Sequence, residues 1–121
     1  GAFLNAAAVA ERAVSIAQQE AGGISFVLSG TQGRFSLEDF ICAGAIVEYL
    51  PASHVDCSDS VTSALLAFQQ AHRRLAKTIG RGRHAQFLES IGHKEDVEFC
   101  CQLNRYPLVP RYTTDGIVRL T

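Results

Sequence analysis

The sequence predicts a layered α/β domain, with a mainly parallel sheet flanked by helices and a short hairpin at its close. Three observations carry that expectation. Residues 24–28 (Ile-Ser-Phe-Val-Leu) form a short apolar run, as a strand covered on both faces would. A loop bearing Gly30 and Gly33 follows directly, and then a helix opened by Ser36, which is the strand–loop–helix order of α/β layers. Near the end, Asp115-Gly116 between two β-prone runs signals a tight hairpin turn.

Taken in order, the chain begins with a helix capped by Asn5 and running to about Gln19. Its apolar content is mostly alanine, including Ala6, Ala7, Ala8 and Ala10, which suits close packing. Gly22 and Gly23 end it, and the strand over residues 24–28 follows. Beyond the loop, a helix runs from Leu37 to about Leu50 and stops at Pro51. Gly44 in its middle costs about 1 kcal/mol against alanine, so a close backbone approach is the expected reason for it. Ser58 or Asp59 then caps a long helix to about Ile79, whose last turns carry His72, Arg73, Arg74 and Lys77 in keeping with the helix dipole. Gly80-Arg81-Gly82-Arg83 is a break exposing two arginines, either a solvated hinge or an anion contact. A short helix from about His84 to Ser90 and another from about Lys94 to Leu103 follow. A closing strand, Val109 to Thr113, and a return strand, Ile117 to Leu120, make the hairpin.

At 121 residues the natural count is a single domain, 1–121, which buries roughly two-thirds of its unfolded surface. Hydrophobic residues make up 47% and charged residues 19%, so the composition carries no signature of disorder. A net charge of −1 argues against nucleic acid and against an acidic membrane surface as partners. No apolar run approaches a membrane span, and no basic-then-apolar leader is visible. The four cysteines, Cys42, Cys57, Cys100 and Cys101, form no Cys-x-x-Cys pair, which fits reduced thiols and a cytoplasmic setting. His54 and Cys57 are spaced like a metal pair, but no second pair completes a zinc site.

The chemistry concentrates after residue 29. A glycine loop feeding a helix N-terminus offers backbone N–H donors to an anion, and Thr31, Gly33, Arg34 and Ser36 would line it. Glu38 and Asp39 in the first helical turn are carboxylates suited to a hard cation such as Mg²⁺. The bland reading stands beside this one. Ser36 and Asp39 are spaced for a capping box, and acidic first turns complement the dipole without any chemistry. Glu38 is then the freer carboxylate and Arg34 a solvated loop charge. Asn5 either caps its helix or donates to a substrate oxygen. Cys42, one turn beyond the carboxylates, is a small packing residue or a thiolate stabilised near the helix N-terminus.

The stretch GTQGRFSLEDFICAGAIVEYL resembles the 2-phosphosulfolactate phosphatases, Mg²⁺-dependent acid phosphatases of the coenzyme M pathway. GAFLNAAAVAERA is similar to that family's small-residue helix with an Asn near its start, and FLESIGHKEDVEFCCQLNRYPLVP to its closing helices and final strand, with Asp96 at a family position. The resemblance implies an enzyme about twice this length. It also implies a front half carrying an Asp-x-x-Arg-Ala-Thr-like and a Thr-Thr-Asn-Gly-Thr-like segment, neither of which is present. This chain, with no methionine and beginning at Gly1, looks like the C-terminal half only.

Two functions follow as expectations. The first is half of a Mg²⁺-dependent phosphatase. It would act on a small anionic phosphate ester such as 2-phospho-3-sulfolactate. Glu38, Asp39 and Arg34 would be catalytic, Glu38 and Asp39 would hold the metal, and Asn5, Thr31, Gly33, Arg34 and Ser36 would bind substrate. No nucleophile elbow, Walker loop or Ser-His-Asp arrangement is present, so a metal-bound water or the absent half would attack. The second is a non-catalytic module that acts only by pairing with another chain. Either way the expected partner is the N-terminal half or a self-copy, because half an enzyme leaves sheet edges and apolar faces open.

Overall fold

The computed structural model describes residues 1–51 and 56–120, so His54 lies outside the described residues. The chain opens on a 3-10 turn, η1 (Phe3–Asn5), which runs directly into α1 (Ala6–Gln19). After an irregular segment come α2 (Leu37–Glu48) and α3 (Asp59–Ala71). A second 3-10 turn, η2 (His72–Arg74), leads to α4 (Leu75–Ile79), and α5 (Arg83–Ser90) and α6 (Lys94–Cys100) follow. The chain closes with β1 (Val109–Thr113) and β2 (Gly116–Leu120). No described helix is long and apolar enough to cross a membrane.

The core is helical and built from small side chains. Ala6 and Ala10 of α1, Ile41, Ala45 and Ile46 of α2, Phe68 and Ala71 of α3, Leu75 and Ile79 of α4, and Ala85 of α5 form one buried cluster with Phe3. The closest helix pair is α2 with α3. Gly44 is where they meet: a Cβ built there would fall 2.5 Å from the carbonyl carbon of Ala64, against its carbonyl oxygen. The close approach expected of this glycine is therefore present. A side chain at this crossing would hold the two backbones apart.

The long helix expected over residues 59–79 is instead three pieces. Arg74 leaves the helical region at φ −139°, ψ 42°, and the axis restarts at Leu75. The restart lets Leu75 and Ile79 bury beside Phe68 and Ala71.

The structure is α/β, but the mainly parallel sheet is corrected. Among the described residues the sheet is two-stranded and antiparallel, β1 with β2, in register from Val109↔Leu120 to Thr113↔Gly116. The hairpin at Asp115-Gly116 is as expected, with Gly116 at φ +120° and the Thr113 hydroxyl donating to its carbonyl at 3.0 Å. Residues 24–28 belong to neither helix nor strand. The physical reason is that an apolar run becomes a strand only through a ladder, and no backbone hydrogen bond joins residues 23–29 to another described residue. Phe26 packs against the core from this segment while Val27 stands 93% exposed.

Candidate functional site

The loop before α2 is a tight turn. Thr31 and Arg34 exchange both backbone hydrogen bonds at 3.0 Å, and Gln32 and Gly33 sit at φ +52° and +72°, the signs of a type I′ turn. Three amides of this loop are committed. The Thr31 and Arg34 N–H groups donate within the turn, and the Gly30 N–H donates to Asp39 Oδ2 at 2.7 Å. The turn projects outward, with Gln32, Gly33 and Arg34 exposed and Thr31 half-buried.

Ser36 is buried and caps α2, its Oγ accepting from the Asp39 N–H at 3.2 Å. The reciprocal half of the expected capping box is absent, because the Asp39 carboxylate reaches back across the loop to Gly30 instead. Asp39 thus ties the end of the irregular segment to the first turn of α2.

Asn5 stands at the start of α1 but its side chain does not cap it. Its Oδ1 accepts from the Ala2 N–H at 2.8 Å, and its Nδ2 donates to the Leu108 carbonyl at 2.9 Å. Buried and satisfied on both sides, it fastens the chain's opening to the segment entering β1. The α1 N-terminus is capped from far away: Asn104 Oδ1 accepts from the Ala7 N–H at 2.8 Å. Asn104 sits at φ +53°, a conformation asparagine tolerates better than most residues, and its own N–H donates to the Phe3 carbonyl at 3.0 Å. No local pattern marks this role, because Asn104 and Ala7 lie 97 positions apart.

The first turn of α2 opens on a cleft of about 310 Å³ between η1, α2, α5 and α6. Glu38 and Asp39 line one side, Asp96 and His84 another, and Cys42 and Cys101 its floor. Arg34, Thr31 and Gly33 are not among the lining residues; of the loop expected to accompany the carboxylates, Gly30 alone bonds to one of them, Asp39, among the described residues. Glu38 is half-buried rather than turned to bulk water. Its carboxylate lies beside Gly82: a Cβ there would sit 3.5 Å from Glu38 Oε2, in ordinary contact. Gly82 is the N-cap of α5, so Glu38 also complements that helix's dipole.

Asp96 makes an exposed i,i+3 contact with His93 Nδ1 at 3.3 Å, which keeps it at the rim. Cys100 and Cys101 both line this cleft. Burial pushes the Cys42 thiol up to about 11, with the Asp39 charge adding to the rise. Burial does the same to Cys101, with the neighbouring Cys100 next. Cys42 is therefore held as a thiol and is unsuited to nucleophilic attack at neutral pH.

No group of three or more His, Cys, Asp or Glu side chains among the described residues is arranged to hold a metal ion. That excludes an all-protein cage at these residues. It leaves room for a Mg²⁺ held by one or two carboxylates with water and substrate oxygens completing the shell, the usual habit of that ion. The adjacent Glu38 and Asp39 fit that pattern: Glu38 has no hydrogen bond to another described residue, and only one Asp39 oxygen is engaged by Gly30.

A family model described as 2-phosphosulpholactate phosphatase matches residues 1–115. Among curated proteins, the "Probable 2-phosphosulfolactate phosphatase" of Symbiobacterium thermophilum is 35% identical over 99 residues, covering 80% of this chain and 42% of that protein. The protein of the same name from Clostridium acetobutylicum is 30% identical over 120 residues, covering 98% of this chain and 49% of its own length. That of Thermotoga petrophila is 37% identical over 108 residues, covering 89% and 44%. The chain spans about half the length of the curated relatives it matches.

Proposed function

This chain belongs to the 2-phosphosulfolactate phosphatase family, and on that premise we propose that it is the C-terminal half of a Mg²⁺-dependent phosphomonoester hydrolase. Its substrate would be a small anionic phosphate ester such as 2-phospho-3-sulfolactate, cleaved by water to 3-sulfolactate and phosphate. The observation that supports this most is the convergence of Glu38, Asp39 and Asp96 on one cleft. Bound Mg²⁺ would neutralise charge on the ester oxygens and on the developing phosphate. Glu38 is the ligand in best position, because its carboxylate is not committed elsewhere among the described residues. Asp39 would offer its second oxygen while Gly30 holds the first in place. Three carboxylates in a cleft repel a polyanionic substrate unless a cation lies between them, so the arrangement favours metal-assisted chemistry. Donors for the phosphate and sulfonate oxygens would come chiefly from the complementing half, since the Arg34 turn stands outside the cleft.

A second reading is favoured by one observation. Three amides of the loop expected to bind an anion are committed to the turn itself and to Asp39, and the turn lies outside the carboxylate cleft. A chain that only pairs with another polypeptide needs no donors in that cleft.

Co-expression with the front half of a relative, followed by phosphate release from 2-phospho-3-sulfolactate with and without Mg²⁺, separates the two. Expected is metal-dependent hydrolysis by the complex. Glu38→Gln should lower it at least about tenfold and raise the Mg²⁺ requirement, with a nearly unchanged melting temperature. Asp39→Asn should cost stability as well, about 1 kcal/mol, by weakening the bond from Gly30. A complex that binds but releases no phosphate from any ester supports the pairing module, and a Glu38→Gln complex with wild-type metal dependence overturns the metal assignment.

A further inference from the structure

We infer that residues 24–29 are the docking strand of this chain. Its two backbone edges are completed by strands of a polypeptide carrying the other half of the family length. The inference rests on the reading that the chain works with such a half, and it names the surface that receives it.

The segment carries apolar residues at alternate positions, as a strand does. Phe26 packs against the core, Ile24 and Leu28 line the grooves over α2 at 36% and 39% exposure, and Val27 is 93% exposed. It is also held at both ends. At one end the Gly22 N–H donates to the Ala17 carbonyl at 2.9 Å, and at the other the Gly30 N–H donates to Asp39 Oδ2 at 2.7 Å. Between those anchors no backbone hydrogen bond joins residues 23–29 to another described residue. An anchored apolar segment whose edges are unpaired among the described residues is a template for strand addition, the hazard that proteins normally blunt with charge or proline. Residues 23–29 contain neither a charge nor a proline.

The occupant follows from size. The chain spans about half the length of its curated relatives, and the half of family length that it does not span is long enough to supply more than one strand. A second copy offering the same segment would cover one edge and leave the other open. Strands on both edges also put a layer of protein over Val27, as in a sheet covered on both faces. The C-terminal end of the segment is Gly30, bonded to Asp39, so strands added there run to the rim of the carboxylate cleft. Ligands of open α/β sheets sit at the carboxyl ends of strands, so docking and completion of the site would be one event.

The test is amide hydrogen exchange on the chain alone and on its complex with a co-expressed front half of a relative. Amides 24–29 should slow on the order of a hundredfold or more in the complex. Val27→Lys should weaken the complex at least about tenfold while leaving the melting temperature of the chain alone unchanged, because Val27 touches little in it. If the complex forms and hydrolyses the ester while amides 24–29 exchange as before, the docking surface is wrong and the functional reading stands. Protection of these amides in a self-associated dimer of the chain, seen by size-exclusion chromatography, makes a second copy the occupant and overturns the inference. Failure to form any complex overturns both.

Discussion

Gly44→Ala puts helix propensity and packing in direct opposition. In an exposed helix this substitution stabilises by about 1 kcal/mol, because alanine loses less backbone entropy than glycine. Here the new methyl would lie 2.5 Å from the Ala64 carbonyl carbon and 3.0 Å from Phe68 Cβ, where ordinary contact begins near 3.4 Å. The α3 backbone must move away by about 1 Å, and it carries the buried Ala64, Phe68 and Ala71 with it. Overpacking of this kind costs about 1–3 kcal/mol or more, and here the rigid backbone rather than a flexible side chain has to yield. The net expectation is a loss of about 1–3 kcal/mol, a fall in melting temperature of roughly 4–12 °C for a chain of this size. Urea and thermal unfolding followed by far-ultraviolet circular dichroism measure it. A melting temperature that rises by a few degrees, as propensity alone requires, would refute the close α2–α3 crossing and with it the placement of the first turn of α2 at the cleft.

Asn104→Ala removes the acceptor for the Ala7 N–H and forces alanine to φ +53°, whereas Asn104→Gly removes the acceptor and relieves the backbone. Thermal unfolding should show both variants destabilised, by about 0.5–2 kcal/mol for the lost cap, with alanine the worse; two wild-type-like curves would mean that the contact does not cap α1. The raised Cys42 and Cys101 pKa values, about 11 against an ordinary 9.0, make stability depend on pH. Their burial as thiols contributes stability that is fully present below about pH 9 and lost as pH rises toward 11, since the unfolded chain ionises first. Urea titrations under reducing conditions should show the midpoint falling over that window, and iodoacetamide near pH 8 should label exposed Cys100 well before Cys42.

Much of the helical layout was legible because its signals are local. Ser36 caps α2 through a bond three residues away, and α1 ends at Gln19 just ahead of its glycines. The purpose of Gly44 was readable for the same reason: a glycine inside a helix has few explanations. Of the site, the sequence showed that Glu38 and Asp39 share a helical turn, but not which groups they would meet. Asp39 was expected to cap and instead holds Gly30; Asn5 was expected to cap and instead bridges Ala2 and Leu108.

The sequence by itself determined the positions of α1, α2 and α5, a close backbone approach at Gly44, the closing hairpin at Asp115-Gly116 and the family. Periodicity, caps and turns are settled by residues within about four positions of one another, so they can be read along the chain. The tertiary structure alone decided that Asn104 caps α1, that Glu38 nests against Gly82, that Asp96 joins the two carboxylates at one cleft, and that residues 24–28 lie without a ladder. A polar side chain takes whichever partner long-range packing brings within about 3 Å, and a strand exists only when another strand lies beside it. Neither condition is encoded in the few residues around Asn104 or Val27.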